Sequence, residues 1–150
     1  MGGHLHRAFS VFIFNTEGEM LLQQRAISKY HSGGLYTNTC CSHPRPHEDI
    51  YAAAHRRLEE EMGMKCDLVA VFSFEYKAAL DHGLTEWEID HVLIGECDDT
   101  PKINRHEVES YEYVHTDWLL KDMATRPLSY TEWFKASVEK VIEIRTGVRR

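Results

Sequence analysis

The chain has 150 residues, about one domain's worth, and 43% of them are hydrophobic, which excludes an overall disordered chain and allows a sizeable core. Its 24 acidic residues outnumber 17 basic ones, for a formal charge of −7, so a nucleic-acid coat is excluded and no nucleic-acid partner is expected. No apolar run approaches a membrane span and no signal-peptide pattern opens the chain, so a cytoplasmic location without a membrane partner is expected.

Ala8–Phe14 is short, apolar and rich in Phe, Val and Ile, and reads as a buried strand. Asn15 to Gly18 is a turn signal, and Met20–Arg25 is the returning strand. Ser28–Gly34 is a loop carrying Lys29. Leu35–Ser42 is extended, and Pro44 and Pro46 then hold the chain out of helix. Glu48–Met62 is a helix, because Ile50, Ala54, Leu58 and Met62 fall four apart in one apolar stripe, and Gly63 supplies its stop. Leu68–Tyr76 and Ile89–Gly95 are strands, with a loop at Asp81–Gly83 between them. Tyr111–His115 is a short strand, and Tyr130–Arg145 a terminal helix with Trp133, Phe134, Val138, Val141 and Ile142 on its apolar side. With no repeat and no linker, the chain is expected to be a single domain spanning residues 1–150, of α+β (mixed α/β) class. The four cysteines, Cys40, Cys41, Cys66 and Cys97, fit free thiols better than a disulfide framework.

The densest chemical signal lies between Ser42 and Met64. Glu48 is followed after seven residues by Arg56, then Arg57, Leu58, Glu59, Glu60, Glu61, Met62 and Gly63. On a helix, Arg57 and Glu61 are one turn apart on one face, with Glu60 beside them. Carboxylates so placed can hold Mg²⁺ and bridge it to phosphate oxygens, although a run of this kind is more often a solvated, salt-bridged face. This stretch resembles the Nudix box, G-x5-E-x7-R-E-U-x-E-E-x-G-U with U aliphatic. It departs at Ser42, where the box has Gly, and at Arg57, where the box has Glu. The second departure removes a negative charge and adds a positive one, which suits gripping a diphosphate more than cleaving it.

Three further segments sharpen the resemblance. Tyr36-Thr37-Asn38-Thr39-Cys40-Cys41-Ser42-His43-Pro44, then Glu86-Trp87-Glu88-Ile89-Asp90-His91, and the opening His6-Arg7-Ala8-Phe9-Ser10-Val11-Phe12 each resemble a segment of the type 1 isopentenyl diphosphate isomerases. In order and at family-like separations, they identify the chain as similar to that family from about His6 to Trp133. Taken singly, each residue has a commoner role: a buried thiol for Cys41, an exposed or structural imidazole for His6 and His43, one face of a strand for Glu86 and Glu88, core for Trp133.

The resemblance implies a Nudix-like fold, a mixed β-sheet core flanked by helices. It implies an enzyme that converts isopentenyl diphosphate to dimethylallyl diphosphate in isoprenoid biosynthesis. Cys41 is then the catalytic cysteine, with Cys40 its non-catalytic neighbour, Glu88 the second acid/base and Tyr76 its assistant. Arg25, Lys29 and Arg57 hold the diphosphate, and Trp133 covers the allylic part of the substrate. His6, His43, Glu86 and Glu88 ligate a transition-type ion, Mn²⁺ or Zn²⁺, while Glu61 ligates a diphosphate-linked Mg²⁺. The partner is a small diphosphate, and the chain is a monomer or weak homodimer. A further histidine ligand and a lysine of the family pattern fall before Met1, so the chain reads as N-terminally shortened, with His4 two residues from His6. The competing readings are a Nudix diphosphate hydrolase and a non-catalytic binding module.

Overall fold

The computed structural model describes residues 5–29, 32–79, 83 and 85–147, with the side chains of Ala78, Thr85 and Glu86 outside the description. The strands are β1 (His6–Phe14), β2 (Met20–Arg25), β3 (Tyr36–Thr37), β4 (Cys40–Ser42), β5 (Val69–Ala79), β6 (Thr85–Glu96) and β7 (Val108–Val114). The helices are α1 (Ile50–Met62), α2 (Thr116–Thr125) and α3 (Glu132–Gly147). Among the described residues, seven strands join one mixed sheet, ordered β3-β2-β1-β6-β5, with β4 added to β1 and β7 to β2. The β1–β6 pair is parallel and the others are antiparallel. None of the described helices is long and apolar enough to cross a membrane.

β1 is apolar on both faces because both faces are covered. Phe9, Val11 and Ile13 pack with Ala53, Ala54, Leu58 and Met62 of α1. Phe12 and Phe14 pack with Phe134, Val138 and Val141 of α3 and Leu119 of α2. The two-residue period of the strand thus feeds two cores, one on each side of the sheet. Leu58 is completely buried, so truncation to Ala costs about 2–5 kcal/mol of stability.

The structure refines several boundaries. α1 starts at Ile50, not Glu48, because the Asp49 side chain accepts from Ala52 N and caps the helix. Gly63, at φ 64°, ends it where expected, and a Cβ there would lie 2.6 Å from the Lys102 carbonyl oxygen. α3 starts at Glu132, not Tyr130, because Tyr130 is extended and bridges Tyr36 in parallel. α2 is not anticipated by the sequence reading; it is a short helix of ten residues that buries Leu119 and packs Met123 on the same core. β5 and β6 run longer than the apolar stretches that mark them. The loop expected at Asp81–Gly83 falls largely outside the described residues.

Candidate active site

β1 and β2 share a single paired rung, Phe14 with Met20, and then diverge. β4 lies along β1 in the opening wedge, and β3 lies along β2. The divergence leaves backbone groups of β1 and β2 without strand partners, a costly state in a buried place. Thr37, Asn38 and Thr39, all completely buried, answer it. Thr39 Oγ1 accepts from Ile13 N (2.9 Å) and donates to Leu21 O (2.7 Å), tying the two strands together. Asn38 Nδ2 donates to Val11 O (3.0 Å) and Cys40 O (2.8 Å). Thr37 Oγ1 meets Thr131 Oγ1 at 2.8 Å, which docks the start of α3 onto the wedge and places Trp133. The polar run before Cys41 is therefore structural.

A cavity of about 180 Å³ opens at this wedge. Eight of the residues singled out from the sequence line it: Arg25, Lys29, Cys41, His43, Arg57, Glu61, Glu88 and Trp133. They come from separate pieces of chain, brought together for visible reasons. Cys41 stands directly opposite Ser10 across β4–β1, while Glu88 stands opposite His6 across β1–β6. Arg25 ends β2, and Lys29 sits in the loop that Gly34 N closes onto Arg25 O (3.0 Å). Arg57 and Glu61 project from α1, and Trp133 from the first turn of α3. Cys40, one residue from Cys41, points to the other face and is completely buried against α1.

The cations and carboxylates are interlocked. Arg57 donates to Glu60 Oε1 and Glu61 Oε2, both at 2.6 Å, and to Glu107 Oε1 at 3.2 Å. Glu61 is 4% exposed and also accepts from Gln23 Nε2 (3.0 Å), which donates in addition to Thr39 O (2.8 Å). Burial pushes the Glu61 carboxyl above its ordinary range, with Arg57 opposing. Arg25 lies over the Trp133 ring, Cζ 5.3 Å from its centroid, and Tyr76 meets that ring edge-on at 6.4 Å. Tyr76 does not line the cavity; it is buried opposite Glu88 across β5–β6.

Burial pushes the Cys41 thiol up to about 12, with Arg25 pulling the other way. Asp90 also lines the cavity, and burial pushes its carboxyl up to about 7, against a 2.9 Å hydrogen bond from Ser10 Oγ to Oδ2. Two residues are missing from the sequence reading. Asp90 has a signal, since it continues the every-second-residue series Glu86, Glu88. Glu107 has none, because only the fold brings it to Lys29 and Arg57.

The expected metal ligands are in part together. His43 Nε2 touches Glu88 Oε2, and His6 pairs with Glu88 in the sheet. Glu86 occupies β6 opposite Ala78, its side chain outside the description, and His4 lies outside the described residues. Among the described residues no group of three or more His, Cys, Asp or Glu forms a ready metal cage. The imidazole and carboxylate donors nevertheless suit a divalent ion, and the buried Asp90 Oδ1 has no hydrogen-bond partner among the described residues.

The NUDIX domain family model matches residues 4–134. The chain is 51% identical over 139 residues to the isopentenyl-diphosphate Delta-isomerase of Pectobacterium atrosepticum, covering 93% of this chain and 78% of that one. It is 50% identical over 143 residues to isopentenyl-diphosphate Delta-isomerase 1 of Aromatoleum aromaticum, covering 95% and 81%. The chain belongs to the NUDIX domain family and, within it, to the isopentenyl-diphosphate Delta-isomerases. The fold agrees with solved NUDIX structures. A MutT protein from Methanosarcina mazei superposes with a TM-score of 0.79 at 16% identity, over 97% of this chain and 98% of that one. A MutT NUDIX hydrolase from Burkholderia pseudomallei gives 0.72 at 15% identity, over 93% and 99%.

Proposed function

We propose that this isomerase interconverts isopentenyl and dimethylallyl diphosphate with Cys41 and Glu88 as its acid/base pair. The reaction moves a double bond from a terminal to an internal position. A proton must be added at one carbon and removed from another, and an unactivated alkene is a poor base. Protonation therefore passes through, or close to, a tertiary carbocation, and two proton-transfer groups flanking the hydrocarbon meet the need. The observation that carries this reading is that Cys41 and Glu88 line one cavity with three cations and an indole. Arg25, Lys29 and Arg57 bind the diphosphate. The Trp133 face lies by the hydrocarbon, where its quadrupole stabilises developing positive charge. Tyr76, opposite Glu88 across β5–β6, would assist that carboxylate.

The enzyme uses a divalent metal. His6, His43, Glu86 and Glu88 would hold a transition-type ion, Mn²⁺ or Zn²⁺, and Glu61 would hold Mg²⁺ beside the diphosphate. When bound, these ions supply positive charge that tunes the proton donor and neutralises phosphate oxygens.

The hydrolase reading is not favoured. Hydrolysis needs carboxylates that gather metals and activate water, and here Arg57 occupies one of those positions and engages Glu60 and Glu61. Incubating the protein with isopentenyl diphosphate and Mg²⁺ tests the choice. Dimethylallyl diphosphate without free phosphate supports the isomerase; phosphate release without the allylic product supports hydrolysis.

A further inference from the structure

Glu107 has no part in the reaction as described, yet it joins two of the three cavity cations. Its Oε1 accepts from both Lys29 Nζ and Arg57 Nη2, the latter at 3.2 Å. Its backbone is anchored as firmly. Glu107 N donates to Asn104 O (2.9 Å), and Glu107 O accepts from Ala26 N (3.1 Å). Ala26 O in turn accepts from Lys29 N (3.0 Å), so one residue fixes both the backbone and the ammonium of the Lys29 loop. Asn104 N donates to Glu61 O (2.9 Å), which ties the same segment to the end of α1. Lys29 and Arg57 both line the cavity, whereas Glu107 does not. The carboxylate therefore stands behind the two cations and leaves their open sides to the cavity.

We propose that Glu107 is a positioning residue for diphosphate binding: it holds Lys29 and Arg57, two like charges that would otherwise repel, at the spacing a diphosphate bridges. This rests on the reading that Lys29 and Arg57 bind the diphosphate. A carboxylate in front of the cations would compete with substrate; one behind them organises the pair and lets the ligand replace bulk solvent. Because Glu107 touches no reacting atom, its loss acts on binding and spares the proton steps.

The test uses inorganic pyrophosphate as the binding probe and isopentenyl diphosphate as substrate. Glu107→Gln keeps the shape and removes the charge. It is expected to weaken pyrophosphate binding and raise KM by about fivefold or more, with kcat within about twofold. Glu107→Asp, which keeps the charge, is expected to recover part of the loss. Lys29→Met should then cost less in the Glu107→Gln background than in the parent, because the two residues act together. Lower thermal stability with unchanged pyrophosphate affinity would reduce Glu107 to a structural role, and tighter binding would make it a competitor; either overturns the proposal. If Lys29→Met and Arg57→Ala also leave pyrophosphate binding untouched, the diphosphate reading of the cavity falls with it. If those two weaken binding and Glu107→Gln does not, the positioning proposal falls alone.

Discussion

Cys41 and Glu88 lie on two strands that flank the same strand from opposite sides: Cys41 faces Ser10 across β4–β1, and Glu88 faces His6 across β1–β6. Ser10 and His6 are an even number of residues apart on β1, so both pairs present to one face of the sheet. The two groups are thus set by the sheet itself, one on either side of β1 and four residues apart along it. Asp90, two residues on from Glu88, lines the same cavity and accepts from Ser10 Oγ at 2.9 Å.

That arrangement separates the two adjacent cysteines. Cys41→Ala is expected to lower turnover by at least about a thousandfold with the fold intact, since a proton-transfer group is lost outright. Cys40→Ala is expected to keep activity and lose about 1 kcal/mol of stability, because it only hollows the core beneath α1. Steady-state kinetics and denaturant melts of both variants check this, and a dead Cys40→Ala beside an active Cys41→Ala would reverse the assignment.

Arg57→Glu restores the hydrolase pattern and is expected not to create a good hydrolase. It would place a fourth carboxylate among Glu60, Glu61 and Glu107, which Arg57 now holds together. Substrate affinity should fall by about tenfold or more, and stability by about 2–4 kcal/mol. Phosphate release and pyrophosphate binding by the variant are the readouts. Tight binding with rapid hydrolysis would contradict the account.

Glu48 gives a pH prediction away from the cavity. Hydrogen bonds from Arg56 and from Arg45 N hold its carboxyl down at about 2, below its ordinary value. A lowered folded-state pKa stabilises the protein above the unfolded pKa, about 4.3, and that contribution fades as pH falls through the folded value. Glu48→Gln should therefore melt below the parent at pH 7, and the gap should close as pH drops from about 4.5 toward 2. Thermal melts across that range decide; a gap that widens on acidification would be the wrong sign.

For the metal, His43→Ala is expected to remove most transition-ion binding, because it takes away the imidazole that already touches Glu88. His4→Ala should change little. Binding should also weaken below about pH 6.5, where a free histidine protonates and can no longer coordinate. Metal titrations of the two variants provide the check, and equal damage from His4→Ala would make His4 a ligand.

Much of this site is legible in the sequence because its parts are local motifs. The spacing from Glu48 to Gly63 marks α1, and the alternation Glu86, Glu88 marks one face of β6. Trp133 sits on an apolar stripe visible at helical spacing, even though the helix starts two residues later than Tyr130 because Tyr130 is drawn into a bridge with Tyr36. Other features depend on contacts far apart in the chain. Glu107 is fifty residues from Arg57 and meets it because the segment between β6 and β7 is tied to the end of α1, Asn104 N donating to Glu61 O. The roles of Thr37, Asn38 and Thr39 follow from the divergence of β1 and β2, which no local pattern announces. α2 escapes because its ten residues are shorter than the stretch of about 11–18 over which helical periodicity is read.

The most direct test of the acid/base pair is turnover of isopentenyl diphosphate in deuterated water. Proton addition at the terminal carbon by an exchangeable enzyme group predicts one deuterium in the newly formed methyl group of the dimethylallyl product, with no free phosphate. Cys41→Ala and Glu88→Gln should each abolish that label. Unlabelled allylic product would mean that the hydrogen moves within the substrate, without passing through Cys41 or Glu88, and would contradict the account.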